Sequence, residues 1–417
     1  MNKAERCICT FRKKAFWHLS LREYIAMRQQ GSALALGLST MAMTASFVIW
    51  SVFSPIAGQI QELFQLSAIE KSVLIATPVL LGSILRIPMG IYTDRFGGKR
   101  VFAGTMLFLI IPLLLASFAQ TYWLLLLCAL FIGMAGTTFA ISLTYVSRWF
   151  PPERQGFVLG LAGLGNLGGA AASFTLPIVF NRYGLPWVFW GLAVMIAVVT
   201  AVFWAGTKDL PLPAKAKTFR QSMEVLKERP TWYLSVFYFL TFGGFVAFGA
   251  YLPTFLKDLF HLSATEAGAR TAGFVVIATL IRPLGGYLAD RIGSRKVLQV
   301  VFGGMILVSL TMSVTLHQFA GFSVCCLAAA ALLGVGNGAV FKMVPEVSFG
   351  NTGAVTGIVG AAGGVGGFFP PIVLGVIKEM TGAYTIGFVM LTCFAFVCLW
   401  MNRQTKRMAM AKREAAA

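Results

Sequence analysis

Acidic residues are what this chain has least of. Its 417 residues hold 15 Asp and Glu against 34 Lys and Arg, with three His. Every carboxylate falls in a tail, a loop or the end of an apolar run. Paired carboxylates for general acid–base chemistry are therefore absent from the apolar interior. A proton-driven exporter built on a membrane-embedded carboxylate is excluded on the same ground. No polar stretch reaches the length of a soluble domain, which argues against an enzyme and leaves a membrane sensor without an output domain. The seven cysteines (Cys7, Cys9, Cys128, Cys325, Cys326, Cys393, Cys398) show no disulfide or zinc spacing. Cys7-x-Cys9 alone offers too few ligands, so neither metal nor cofactor is expected. The first 30 residues lack an apolar core long enough for a signal peptide.

What is abundant is apolar surface. Hydrophobic residues make up 57% of the chain, charged ones 12%, and the mean hydropathy is +0.77. Those values belong to a polytopic helical membrane protein. At about 20 apolar residues per crossing, twelve spans fit, and the hydropathy pattern predicts them at 33–58, 71–92, 99–119, 121–147, 156–180 and 185–205, then 232–256, 267–288, 297–316, 320–344, 353–377 and 383–402. Residues 206–230 are polar and divide two sets of six. The expected organisation is a basic tail (1–30), a six-helix bundle (31–205), a linker (206–230), a second six-helix bundle (231–403) and a short tail (404–417). Within the first tail, a piece around Phe16 to Met27 is amphipathic enough to lie on a membrane surface. An organellar transit peptide fits less well, because Glu5 and Glu23 interrupt it.

A net charge of +19 raises the question of nucleic acid. Placement answers it. With both termini inside, 26 of the 34 basic residues fall in the tails and inner loops, five in outer loops and three within spans. This is the positive-inside asymmetry of a multi-pass protein of the cell (inner) membrane with cytoplasmic termini. The expected partners are thus the lipid bilayer and a small inorganic anion, with no nucleic acid, and the expected state is a monomer.

Two of the in-span cations carry the argument further. Arg86 in L-G-S-I-L-R-I-P-M-G and Arg282 in A-T-L-I-R-P-L-G-G lie 196 residues apart, inside matching apolar stretches. The match continues through Gly90, Asp94, Arg95 and Gly97 onto Gly286, Asp290, Arg291 and Gly293. A guanidinium in hydrocarbon costs roughly 3 kcal/mol or more, so it marks a functional position. If the halves are related by an axis along the membrane normal, the two charges face one cavity at the same depth. That arrangement calls for an anion. Asp94 and Asp290 are acceptors at helix ends, able to bind a neighbouring helix N-terminus or a base such as Arg148 or Arg154. The glycines permit the tight turn there.

A second duplication involves glycine. Span 5 reads G-F-V-L-G-L-A-G-L-G-N-L-G-G, including Gly163, and span 11 reads G-A-V-T-G-I-V-G-A-A-G-G-V-G-G-F-F-P-P, including Gly360. Glycine at three- and four-residue spacing lets helices approach backbone to backbone and leaves only a small cavity.

Six plus six spans with an internal repeat and the G-I-Y-T-D-R-F-G-G-K-R loop resemble the major facilitator superfamily. The paired arginines and glycine-rich spans resemble its nitrate/nitrite porter family, most closely the bacterial assimilatory nitrate transporters. The resemblance implies an all-α membrane fold of two pseudo-symmetric six-helix bundles. It implies that Arg86 and Arg282 bind the anion, with Asn166 on span 5 and the aromatics Phe47, Phe139, Tyr238 and Phe242 lining its site. The function implied is nitrate and nitrite transport by alternating access, as nitrate/nitrite exchange or as proton-coupled uptake. An organic-anion or sugar-phosphate exchanger shares the fold but needs a larger cavity. Lys342 on span 10 could join the anion path or snorkel to the inner surface near Glu346. The second is expected.

Overall fold

The structure, a computed structural model, describes residues 21–210, 219–262, 264–347, 352–381 and 383–414, with the side chains of most of those between 31 and 404. Cys7, Cys9 and His18 lie outside the described residues, as do the start of the N-terminal amphipathic piece and the Glu346 side chain.

Among the described residues every regular element is helical. Water-free surroundings dictate this, since a helix satisfies its backbone groups within one segment. Among the described residues twelve helical stretches are long and apolar enough to cross a membrane: Gly31–Trp50, Val73–Phe96, Gly98–Ser117, Tyr122–Trp149, Pro152–Tyr183 and Leu185–Gly206, then Arg229–Leu252, Glu266–Ile292, Ser294–Val314, Phe319–Pro345, Thr352–Pro370 and Thr385–Gln404. These are spans 1 to 12. Span 1 ends eight residues before its expected limit. Residues 51–56 turn instead, and Pro55 among them has no N–H to continue a ladder. The helix that carries span 1 begins at Leu21 and runs unbroken to Trp50.

Ends are set locally. Span 2's helix starts from a capping box in which Ser67 and Glu70 satisfy each other's backbone N–H groups. Hydrogen bonds donated by the Ser67 N–H and hydroxyl lower the Glu70 carboxyl below its ordinary range. Gly97 and Gly293 end their helices at φ +91° and +88°, where a side chain would be strained.

Glycine sets how the two sets of six meet. A Cβ at Gly90 would strike the Gly353 carbonyl, and one at Gly286 the Gly156 carbonyl. Likewise a Cβ at Gly160 would come 2.7 Å from the Cα of Pro283, and one at Gly357 2.8 Å from the Cα of Ile87. Span 5 therefore lies backbone against span 8, and span 11 against span 2, each crossing between halves as the paired glycine repeats lead one to expect.

Candidate functional site

Each arginine stands where its helix changes step. Span 2 is built from Ala68–Ile84 and Arg86–Phe96, span 8 from Ala264–Leu280 and Arg282–Ile292. Neighbouring spans loosen beside them. Span 4 tightens to a 3-10 turn over Gly133–Thr137, span 5 does so over Gly163–Asn166, and span 7 widens to a π turn over Phe239–Gly243. Such turns leave the regular hydrogen-bond ladder and re-aim side chains, and they recur at functional sites.

Arg86 is 0% exposed. Its Nε donates to the Gly136 carbonyl at 3.0 Å and its Nη1 to the Gly360 carbonyl at 2.8 Å, while Nη2 has no partner. Arg282 is 1% exposed; its Nη2 donates to the Tyr238 hydroxyl at 3.3 Å, and Nε and Nη1 have none. Aromatic rings surround both. The Arg86 Cζ lies 5.0 Å from the Phe139 ring centroid, 5.5 Å from Phe242 and 5.7 Å from Trp50. The Arg282 Cζ lies 5.3 Å from the same Phe139 and 5.8 Å from Phe341. Tyr238 and Phe242 stack at 5.0 Å and 7°, with Phe341 edge-on to Tyr238 at 4.7 Å.

The energetics are lopsided. A desolvated cation–π contact is worth about 2 kcal/mol or more, but two like charges over one ring repel. Donors left unpaired in a buried site each cost on the order of 1–3 kcal/mol, more on a charged group. An anion with several acceptor oxygens has the chemistry that three unpartnered guanidinium nitrogens lack.

Of the residues expected at the site, Arg86, Arg282, Phe139, Tyr238 and Phe242 come together. Asn166 is buried with its Oδ1 unpartnered, one turn along from Gly163. A Cβ at Gly163 would lie 2.7 Å from both Cδ and Cζ of Arg282, so this glycine makes room for the guanidinium rather than for a helix. Gly360 supplies a carbonyl to Arg86. Phe47 is placed differently: it packs on Trp50 at 5.0 Å and against Gly168, and among the described residues no cation lies over its ring. Trp50, one turn on, covers Arg86 instead and is held by a hydrogen bond from Nε1 to the Pro78 carbonyl. Phe341, at the end of G-N-G-A-V-F on span 10, joins the rings although sequence reading did not place it there.

At one end of the spans the two aspartates bind as their duplication implied. Asp94 accepts from the Gly353 N–H at 2.7 Å and from Arg148 Nη2 at 2.9 Å. Asp290 accepts from Gly156 N–H at 3.0 Å and Phe157 N–H at 2.8 Å. Each carboxylate thus caps the N-terminus of a span in the opposite half, where the helix dipole favours negative charge. Arg95 and Arg291 point outward over Phe96 and Tyr287 of their own helices.

Lys342 turns toward the end of the spans where the two aspartates sit: it pairs with Asp290 at 3.0 Å and donates to the Pro152 carbonyl, while the Glu346 side chain lies outside the described residues. It does for Asp290 what Arg148 does for Asp94, and the offset of the two bases, close to that of the repeat, was the signal available. Both partners are nearly buried. Removing one charge of such a pair costs about 3–5 kcal/mol, whereas removing both costs far less. Lys342→Met is therefore expected to lower the melting temperature of the purified protein, and Asp290→Asn added to it to recover part of the loss. A double variant no more stable than the single one would show the pair to be uncoupled.

The model of the Major Facilitator Superfamily matches residues 39–371 and 238–414. The nitrite extrusion protein of Bacillus subtilis is 36% identical over 383 residues, covering 89% of this chain and 95% of the relative. A Mycobacterium tuberculosis protein named "Probable nitrate/nitrite transporter NarK2" is 36% identical over 375 residues, covering 88% and 95%. The crystal structure of the human organic anion transporter MFSD10 aligns with a TM-score of 0.73, covering 89% of this chain and 99% of that one, at 14% identity, a likeness of fold alone. The chain belongs to the Major Facilitator Superfamily and, within it, to the nitrate/nitrite porter family that its duplicated arginine and glycine motifs resemble.

Proposed function

We propose that this chain carries nitrate, and nitrite with it, across the cell membrane by alternating access, exchanging one anion for the other. The observation that carries the reading is the buried arginine pair, whose three unpartnered nitrogens meet inside a box of aromatic rings. Nitrate is a planar, delocalised monoanion, which guanidinium forks hold through parallel hydrogen bonds and ring faces can sandwich. A sugar phosphate or a bulky organic anion finds no such room between glycine-packed spans. The names of the relatives agree. Both termini lie in the cytoplasm, so the Asp94 and Asp290 contacts close the cytoplasmic end.

Exchange follows from the charges. Without an anion, Arg86 and Arg282 repel across Phe139 and oppose the closure that alternating access requires; with one, closure is eased. No carboxylate stands beside the arginines among the described residues, and Lys342, the other in-span cation, is engaged by Asp290. The test is nitrate uptake into proteoliposomes preloaded with nitrite, nitrate or neither, with and without an inward proton gradient. Uptake should need an internal anion. Rapid uptake into empty vesicles under a proton gradient replaces exchange with symport, and no nitrate uptake under any condition removes the reading.

Tyr238→Phe removes one hydrogen bond to Arg282 and leaves the ring stack in place. At about 1.5 kcal/mol for a long bond from a charged group, a rise in KM of roughly tenfold with little change in maximal rate is expected in the same assay.

A further inference from the structure

A cavity of 320 Å³ lies between spans 7, 11 and 12, on the flank of the second six spans. Its size is at the lower edge of small-molecule pockets, roughly 300–1,000 Å³. Gly244, Ala247, Gly366 and Gly387 line it together with phenylalanines, Phe239, Phe248, Phe388 and Phe394 among them, which build the walls. No polar side chain lines it among the described residues. Its mouth, at Phe369 and Met390, is half exposed on the surface that twelve spans turn toward lipid.

We propose that this groove is a binding site for one acyl chain of a membrane lipid, and that its occupation restrains the π turn of span 7. Water is a poor occupant, having no polar partner there. Unfilled, the lining forfeits its dispersion contacts on one side. The bilayer supplies aliphatic chains at the mouth. Lipid tails are as apolar as these walls, so no hydrophobic gain drives entry; shape and packing do. The site therefore reads chain geometry, not polarity.

The link to transport is one turn of helix. Phe239 and Leu240 of the π turn line the groove, whereas Tyr238 and Phe242 stack in the anion site. A Cβ at Gly243 would lie 2.6 Å from the Gly366 backbone, so the turn has no slack toward span 11. What fills one side of this turn limits its movement on the other. The coupling, unlike the binding, rests on the anion-exchange reading.

The full chain is reconstituted in vesicles of a phosphatidylcholine carrying a photoreactive diazirine on one acyl chain, and adducts are mapped by peptide mass spectrometry. Labelling is expected to concentrate on 239–255 and 369–394, and to fall at least fivefold there in Ala247→Phe and in Met390→Trp, which fill the floor and the mouth, with labelling of the exposed face of span 3 unchanged. Even labelling around all spans, or labels in the groove that survive both substitutions, overturns the site. In a second arm, nitrate–nitrite exchange is compared in vesicles of straight-chain and methyl-branched phosphatidylcholines. The unsubstituted protein should differ at least threefold between them, and Ala247→Phe, carrying its own occupant, should not. A dependence that persists in that variant overturns the coupling and leaves the binding result standing. Absence of any exchange would fault the transport reading, while the labelling arm still decides the site.

Discussion

Arg86→Lys and Arg282→Lys are each expected to lower nitrate exchange by about 100-fold or more, although both keep the charge. An ammonium is a point charge and cannot hold a planar oxyanion through two parallel hydrogen bonds. Hydrogen bonds to charged groups are worth about 1.5–3 kcal/mol each, so two lost contacts amount to at least about 3 kcal/mol, or two decades at 1.4 kcal/mol per decade. The two variants should differ in a second property. Arg86 spends two donors on the Gly136 and Gly360 carbonyls, which a lysine cannot satisfy together, whereas Arg282 gives only one long bond, to Tyr238. Arg86→Lys should thus also lower the melting temperature, and Arg282→Lys should leave it nearly unchanged. Near-normal exchange by either well-folded variant would remove the two-arginine site.

The glycine substitutions are expected to separate just as sharply. Gly163→Ala should reduce exchange at least tenfold, because its methyl would occupy the place of the Arg282 Nε and push the guanidinium off its position. Gly360→Ala brings a methyl only to 3.3 Å from the Arg86 Cδ, with Phe139 next at 3.6 Å, and should cost a few-fold at most. Displacement of a binding group by about 1 Å is enough to cost on the order of 100-fold in rate, so the first estimate is a modest one. Initial rates in matched proteoliposomes, with insertion checked by quantified protein, decide the matter. Equal effects at the two positions would mean that the glycines act through helix packing alone.

These two glycines show how far sequence reading reached. Their duplication marked both spans as close-packed, and that holds at Gly156, Gly160, Gly353 and Gly357, where backbone meets backbone. The same spacing could not tell that Gly163 faces a side chain, since a glycine repeat reports only that a face is cleared. Likewise Phe47 and Trp50 stand one turn apart on span 1, and both are aromatic. Only the placement of span 1 against span 2 selects Trp50 for Arg86.

What the sequence by itself determined is whatever a bilayer or a repeat imposes. Twelve apolar runs must be helices, because nothing else satisfies the backbone in hydrocarbon. The repeat puts two in-span arginines, and two aspartates at the same offset, at matching places in the two halves. Tertiary structure decided which rings close the site and which base serves Asp290. Those choices depend on the direction of each side chain around its helix. The 3-10 turns of spans 4 and 5 and the π turn of span 7 rotate everything beyond them away from the α-helical count. A periodic reading carries no trace of that rotation. Lys342 was legible as a charge, but its partner was not: Asp290 is held at the head of span 5, and only the packing of span 10 against span 8 brings the two within 3.0 Å.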